Sequence, residues 1–267
     1  ILAVQLEDGT VLVADRSRKP LPLSMADLTR ARGRVKEDKY RLMTLDAPQP
    51  ARLAAAVQKG ISQAIALFTE EPPRGARDNF GFAAYEKLAE MLVNTRNKHS
   101  WERFFAPGAR MYHALAGSPI QPGAYHWIMT WGAADGAERG LYADFLDEAA
   151  QILKKPSLKE AAVKFRESYK LWLKLADAML PDNVPLLGES KKLIQKKHDL
   201  FIEQGEAALP EIRNINTRLS ELLKESETSF PLSNAQAADL RAHLREILLK
   251  ICVTEQETVT LLQNAIL

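Results

Sequence analysis

Cysteine is almost absent from this sequence, since Cys252 is the only one in 267 residues. An internal disulfide needs two cysteines and a cysteine-rich zinc site needs more, so neither holds this chain together. Such sparing use is typical of a reducing compartment, and we expect a cytoplasmic protein. Cys252 shares an apolar helical face with Leu248 and Ile251, which favours a structural thiol over a reactive one.

The chain also lacks a charge imbalance and a long apolar run. It has 36 Lys and Arg against 34 Asp and Glu, and a net charge of +2 is too small to indicate a nucleic-acid partner. Its longest stretch without charged residues, 111–134, contains Pro119 and Pro122 and would leave broken backbone in lipid. We therefore predict no nucleic-acid partner and no membrane span, and no signal peptide is visible.

Strand signals are confined to the first part of the chain. Apolar residues 2–6 and 10–14 flank the Glu-Asp-Gly turn at 7–9, which predicts a β-hairpin. Residues 16–22 are basic and contain proline, which predicts a loop. Residues 40–45 are the candidate third strand of a small antiparallel sheet.

Helix signals dominate the remainder of the chain. Capping motifs begin at Ser24, Ser157 and Ser233, each followed three residues later by an acid or a glutamine. Pro50 marks the start of another helix, and Pro210 should kink or split a long one near residues 206–209. The predicted inward faces comprise three sets: Leu53, Val57, Ile61, Ala64 and Phe68; Tyr85, Leu88 and Leu92; Leu141, Phe145, Ala149 and Leu153.

These patterns predict an α+β fold that is predominantly α-helical, with a small antiparallel β remnant at the N-terminus. We place domain boundaries so that residues 1–77 form the strand-containing part and residues 78–180 a helical domain. Residues 181–267 carry apolar heptads in two long segments, which predicts a helical hairpin belonging to that domain or standing beside it.

Four segments of the sequence are informative beyond their hydrophobic periodicity. They read ILAVQLEDGTVLVADRS with PLSMADLTRAR after it, NFGFAAYEKLAEMLVNTRNKHSWERFF, ERGLYADFLDEAA, and LKEAAVKFRESYKLWLKLADAML. Together they cover roughly residues 1–180, and in content and order they resemble the butirosin biosynthesis protein H family. That family joins an N-terminal papain-like cysteine domain to a helical domain of unknown function.

The resemblance implies a fragment of an acyltransferase from bacterial secondary metabolism. The family's named member moves an aminoacyl group from a carrier-protein thioester to an amine of an aminoglycoside, so the implied partners are an acyl carrier protein and an amine acceptor. Such chemistry uses a cysteine, a histidine and an orienting acid, and no cofactor is implied. Asp15 matches the acid, whereas the cysteine and histidine are expected before Ile1. An ordinary turn or cap aspartate remains the alternative for Asp15.

A second group of candidate residues is aromatic. His113, Tyr125, His126 and Trp127 lie in the uncharged stretch and are candidates for the wall of a substrate pocket. Packing of helices around glycine and proline breaks is the alternative. The two histidines lack a third ligand nearby, so we predict no metal site.

A function of another class remains open. The chain would then be a non-catalytic helical interaction or dimerisation module on a degenerate cysteine-enzyme scaffold. In that case a homodimer would form through the C-terminal helices.

Glu138 and Arg139, in the ERGLYADFL segment, are expected to cap or pair at a helix start.

Overall fold

The computed structural model describes residues 2–7 and 77 as backbone and residues 9–34, 49–70 and 78–266 in full. The chain is predominantly helical with a small antiparallel sheet, which confirms the predicted α+β class. Its contacts divide it into two units. We call residues 1–48 with 193–218 the sheet unit and residues 49–192 with 219–267 the helical body. The domain boundaries drawn from the sequence stay predictions.

The strands are β1 (Leu2–Glu7), β2 (Thr10–Ala14) and β3 (Leu21–Ser24). The α-helices of the described residues are α1 (Met25–Gly33), α2 (Leu53–Thr69), α3 (Gly81–Val93), α4 (Trp101–Phe104), α5 (Ala109–Ala116), α6 (Ala124–Met129), α7 (Arg139–Ile152), α8 (Leu158–Met179), α9 (Pro185–Gln204), α10 (Leu209–Thr228) and α11 (Asn234–Ile266). Short 3₁₀ turns occupy Pro50–Arg52, Arg77–Asn79, Gly136–Glu138 and Gly205–Ala208.

The sheet has the order β1-β2-β3 and both pairings are antiparallel. The predicted hairpin of β1 and β2 is confirmed, and Gly9 supplies its left-handed backbone with φ +78°. The predicted loop at 16–22 is wrong in its last residues, because Leu21 and Pro22 pair with β2 as part of β3. An edge strand tolerates Pro22 since it has an unpaired side. The predicted strand at 40–45 lies outside the described residues.

The break expected around Pro210 is confirmed. Helix α9 ends before a 3₁₀ turn that opens at Gly205, and Pro210 is the second residue of α10, where its missing N–H costs little. The loop after β2 contacts this break within the sheet unit. The Arg18 amide donates to the Ile202 carbonyl at 2.8 Å, and its guanidinium lies 2.9 Å from Glu203.

The core of the helical body lies where α2, α7, α8 and α11 meet, with α3 packed along α11. Helix α11 packs against α8, α3 and α2, and α7 packs against α8. Small side chains let these helices approach closely. The buried members of this core are Ile61, Ile65, Ala143, Leu146, Ala149, Ala150, Leu158, Ala161, Ala162, Phe165, Val259, Leu262 and Ala265.

The three predicted helix faces are correct only in part. Leu92 on α3 and Ala149 on α7 are buried as predicted, but Leu53, Leu88 and Leu141 are 48%, 37% and 49% exposed, although all three were placed inward. On α7 the buried positions also include Ala143 and Leu146, which the predicted face did not contain.

Two of the three predicted capping motifs are confirmed. The Ser24 side chain accepts from the Asp27 amide at 3.0 Å. Ser233 and Gln236 form a reciprocal capping box with bonds of 2.9 and 3.3 Å. The predicted cap at Ser157 is wrong, because that residue has helical dihedrals and makes no side-chain cap bond. The preceding turn already supplies backbone acceptors to the first amides of α8.

Candidate functional site

Asp15, the predicted orienting acid, directly follows β2. Its side chain is about 40% exposed, and its carboxylate lies 3.8 Å from Nε of Arg16. The backbone carbonyl of Asp15 accepts from the Ser17 amide in the turn that follows. Because β1 and β2 are paired from Leu2 with Ala14 onward, Asp15 leaves the sheet at the end where β1 begins. Its catalytic role stays a prediction.

The four aromatic-pocket candidates lie on α5 and α6. Nε2 of His113 is 3.0 Å from Oε1 of Gln121, and Nδ1 of His126 accepts from a backbone amide at 3.3 Å. Tyr125 is 4% exposed and belongs to the core, whereas Trp127 is 53% exposed. His113 also borders a shallow groove with Phe104, Phe105 and Arg110, and that groove includes none of the other three candidates. Their substrate-binding role stays a prediction.

Cys252 is 3% exposed on α11. Burial, with Glu86 and Glu255 nearby, raises the pKa of the thiol, so the nucleophilic thiolate is disfavoured. This environment suits the structural role that the sequence indicated. A nucleophile for acyl transfer would have to lie elsewhere.

The most elaborate polar arrangement of the helical body is one that the sequence did not single out, a buried ion pair between Arg139 and Glu255. Glu255 lies on α11 and is 1% exposed. Nε of Arg139 donates to its Oε1 at 2.7 Å and Nη2 donates to its Oε2 at 3.1 Å, which is a bidentate pair. Arg139 is the first residue of α7, so the pair ties α7 to α11.

Three further side chains donate to the same carboxylate. Ser168 donates to Oε1 at 2.6 Å, and the Trp172 indole donates to that oxygen at 2.9 Å. Tyr85 on α3 donates to Oε2 at 2.8 Å and accepts from Nη2 of Arg139, also at 2.8 Å. The network therefore joins four helices through one carboxylate.

Electrostatics holds Arg139 and Glu255 in their charged forms. Burial alone would raise the pKa of Glu255, but the Arg139 guanidinium and the hydrogen bonds of Ser168 and Trp172 hold it below its ordinary value. Burial raises the pKa of Tyr85 well above its usual range, so its hydroxyl remains a neutral donor. The guanidinium also lies 5.5 Å from the Trp172 ring centroid, a cation–π distance.

The number of hydrogen bonds that Glu255 accepts limits what its carboxylate can do chemically. A carboxylate offers about four lone-pair sites, and Glu255 accepts five hydrogen bonds from four side chains. No basic site is left for a substrate proton. Glu255 is therefore a structural anchor and not a general base.

An uncommon turn directly before α7 orients Arg139 towards Glu255. Gly136, Ala137 and Glu138 all have left-handed dihedrals, with φ of +59°, +53° and +61°. Such a conformation costs a non-glycine residue roughly 1–2 kcal/mol. Two contacts support the turn: Nη1 of Arg139 donates to the Ala137 carbonyl at 2.9 Å, and Glu138 accepts from the Ala133 amide at 2.6 Å. Arg139 therefore does form an ion pair at this helix start, as one of the two predicted roles. Its partner is Glu255, which is 116 residues away.

A cavity of about 200 Å³ lies beside the ion pair. Its walls come from α2, α7, α8, α11 and the left-handed turn. Arg139, Glu255 and Tyr142 also line it, and among the lining residues only Glu138 is exposed. The remaining lining is apolar: Ala64, Ile65, Phe68, Ala137, Phe165, Val259 and Leu262.

One weak sequence signal pointed towards this site. Glu255 interrupts the apolar face of α11 that carries Ile251 and Cys252, and a charge in such a position is rarely left unpaired. Nothing in the sequence identified Arg139 as the partner. Tyr85 was assigned to an apolar face, which is correct for its ring but omits its hydroxyl.

Comparisons with protein-family models, with curated proteins and with solved structures returned no match to this chain. None of the helices in the described part combines the length and apolar character needed to cross a membrane. Among the described residues, no group of three or more His, Cys, Asp or Glu side chains is arranged to hold a metal ion.

Proposed function

We propose that this chain is part of a butirosin-H-like acyltransferase, in which Asp15 orients a catalytic histidine. The histidine and a nucleophilic cysteine would precede Ile1. The acyl group would pass from a carrier-protein thioester to the cysteine and then to an amine.

The observation that carries this proposal is the register of the β1–β2 hairpin. In a papain-like arrangement the histidine opens the first strand and the acid follows the second. Because Leu2 pairs with Ala14, Asp15 leaves β2 beside the first residues of β1. Its carboxylate is partly exposed and has only Arg16 within ion-pair range in the described structure, so it remains accessible to an imidazole.

The test is acyl transfer by the full-length protein, with the acylated carrier protein as donor and an aminoglycoside amine as acceptor. Asp15→Ala should lower kcat by about 10²–10⁴-fold because the imidazole loses its orienting partner; alanine is used since papain-like sites also work with asparagine at this position. Asp27→Ala is the matched control, since Asp27 is an exposed helix-cap residue, and it should retain activity. Equal activity of the two variants would overturn the proposal, as would the absence of a cysteine and a histidine upstream of Ile1.

A surface groove favours the second candidate, a module that dimerises through its C-terminal helix. The groove runs along α8 and α11 and is lined by Leu171, Leu249 and Val253, with Glu246 and Lys250 beside them. Opposite charges flanking an apolar strip suit a two-fold interface, where each Lys250 would meet the other copy's Glu246.

Light scattering coupled to size exclusion tests this candidate. Val253→Asp should convert a dimer to a monomer, because Val253 is 55% exposed and lies in the groove. Val163→Asp introduces the same charge at a position equally exposed, but outside the groove, and should leave the dimer intact. A wild-type chain that is monomeric at every concentration would rule the candidate out.

A further inference from the structure

We propose that the shallow groove beside α4 and α5 docks an amphipathic helix of a partner protein whose polar face is acidic. The groove lies within the helical body, and its docking role is independent of Asp15 and of acyl transfer. Its lining residues are Phe104, Phe105, Ala109, Arg110, His113 and Leu223.

The groove is concave and mainly apolar, which determines the shape of its partner. It encloses about 290 Å³, the small end of the range of about 300–1,000 Å³ for ligand pockets, and it is too shallow to surround a small molecule. A row of apolar side chains from a helix suits it better, because the ridges of one helix pack into the grooves between others.

Phe104 provides an anchor at this surface. It is 50% exposed, and among the described residues the only other exposed Phe, Tyr or Trp side chains are Trp127 and Trp131. The Phe104 ring is held in place by His99, which stacks on it with centroids 5.6 Å apart and planes inclined by 22°. A fixed aromatic ring offers a large contact area and loses little side-chain entropy on binding, so it is typical of the residues that dominate an interface.

The charges beside the groove determine the sign of the partner. Arg110 lines the groove, Arg103 directly precedes Phe104, and Lys98 directly precedes His99. All three cations are exposed, and none of them forms an ion pair with another described residue. An acidic partner would supply the missing counter-charges and would be attracted to this surface over a distance.

Cations elsewhere on the helical body have their acids close by. Lys87 lies 3.0 Å from Glu90, and Arg166 lies 2.7 Å from both Asp144 and Asp147. Around the groove the sequence is different, because it has no acidic residue from position 103 to position 134. On α10, the charged residues one position and one turn beyond Leu223 are Lys224 and Glu227, which offset each other. The positive charge beside the groove is therefore not balanced locally.

Two other anionic partners fit this surface less well. A lipid bilayer is flat and would leave the concave lining unfilled. A single-stranded nucleic acid stacks successive bases on aromatic faces, but His99 already covers one face of Phe104, and Trp127 and Trp131 are paired with each other at 4.3 Å between centroids. An acidic amphipathic helix both fills the groove and meets the cations.

Fluorescence anisotropy of a labelled synthetic peptide tests the proposal with the 267-residue chain. The peptide is a helix of about five turns, with leucine at every third or fourth position and glutamate on the opposite face. One control peptide has lysine in place of glutamate, and another has serine in place of leucine. Only the acidic peptide with leucine should bind saturably, and its binding should weaken as the salt rises from about 50 mM to about 500 mM.

One variant tests the apolar contact. Phe104→Ala should weaken binding of the acidic peptide by at least about tenfold, as expected for an interface anchor. Val163→Ala is the matched control, because Val163 is 55% exposed and lies outside the groove, and it should bind the peptide as the wild type does.

A double variant tests the charges. Arg103→Gln combined with Arg110→Gln should weaken binding by about two- to tenfold at low salt and reduce its salt dependence, because it removes two exposed charges. Arg52→Gln combined with Lys59→Gln removes the same charge from exposed positions outside the groove and should have no effect.

Three results would overturn the proposal: no saturable binding of the acidic peptide, equal binding of the lysine peptide, or binding to Phe104→Ala as tight as to Val163→Ala. Phosphatidylglycerol vesicles and a thymidine oligonucleotide are tested as competitors. If either displaces the acidic peptide and its own binding is lost in Phe104→Ala, the groove belongs to that ligand and the proposal is wrong. Should Phe104→Ala fail to fold, the comparison of the two double variants decides the question.

Discussion

Glu255→Gln should be among the most damaging conservative substitutions in the helical body. The side chain keeps its size, but Arg139 loses its counter-ion and one carboxylate oxygen becomes an amide nitrogen. Since Oε1 accepts three hydrogen bonds and Oε2 accepts two, at least two donors would then face the amide N–H₂. Either orientation of the amide therefore leaves buried donors unpaired.

The magnitude follows from the burial of the pair. Removing one partner of a buried ion pair costs about 3–5 kcal/mol. The Arg139 side chain is 20% exposed and can be partly hydrated, which places the cost near the lower value, about 3 kcal/mol. For a body of this size that is a fall in Tm of about 6–12 °C. Glu257→Gln, two residues away and 59% exposed, is the control and should change stability by less than about 0.5 kcal/mol.

Far-UV circular dichroism at several pH values completes the assay. Because the pKa of Glu255 is lower in the folded chain, its stabilisation is fully present above the unfolded value of about 4.3 and is lost as the pH falls through the folded pKa. The Tm difference between wild type and Glu255→Gln should thus be constant from pH 7 to about 5 and shrink below about 4.3. A difference no larger than that of Glu257→Gln, or one independent of pH down to about 3, would refute this account of the network.

Three other predictions concern single positions. Native Cys252 should resist an aromatic disulfide reagent at neutral pH and react only on unfolding, since it is buried and its pKa is raised; rapid native labelling would contradict this. Gly136→Ala should destabilise by about 2 kcal/mol or more in urea unfolding, because a Cβ there meets the Tyr169 ring at a left-handed φ, and a neutral effect would contradict this conformation of the turn. Ser233→Ala should lower the free energy of unfolding by about 1 kcal/mol in the same assay, because it removes a cap bond. Ser157→Ala should lower it by less than about 0.5 kcal/mol, because Ser157 makes no cap bond, and equal losses would be inconsistent with the two observed geometries.

The features that the sequence predicted correctly depend on local chemistry. The break at Pro210 follows from a missing amide, and the capping box at Ser233 needs only a serine and a glutamine three residues apart. The error at Ser157 has the same local origin. Its motif is present, but an earlier turn had already satisfied the amides that a serine would cap.

The candidate site depends on distant pairings that no local pattern encodes. Arg139 and Glu255 are brought together by tertiary packing, chiefly of α7 and of α11 against α8. A single sequence shows that Glu255 interrupts an apolar face, but not which of 36 basic residues compensates it. The cavity is harder still to foresee, because it arises from the volume left between four helices. Tyr142 resembles any other aromatic core residue until its hydroxyl is found without a partner.

The left-handed turn before α7 has a consequence for how the chain is made. Residues 136–138 adopt their costly dihedrals in the folded body, where the guanidinium that follows them is anchored by Glu255 in the second half of α11. During translation that glutamate emerges long after the arginine, so nascent α7 cannot acquire its final start while the ribosome is still adding the intervening helices. The helical body must therefore complete its folding late, and a ribosome stalled before the codon for Glu255 would carry a nascent α7 whose Arg139 still lacks its partner.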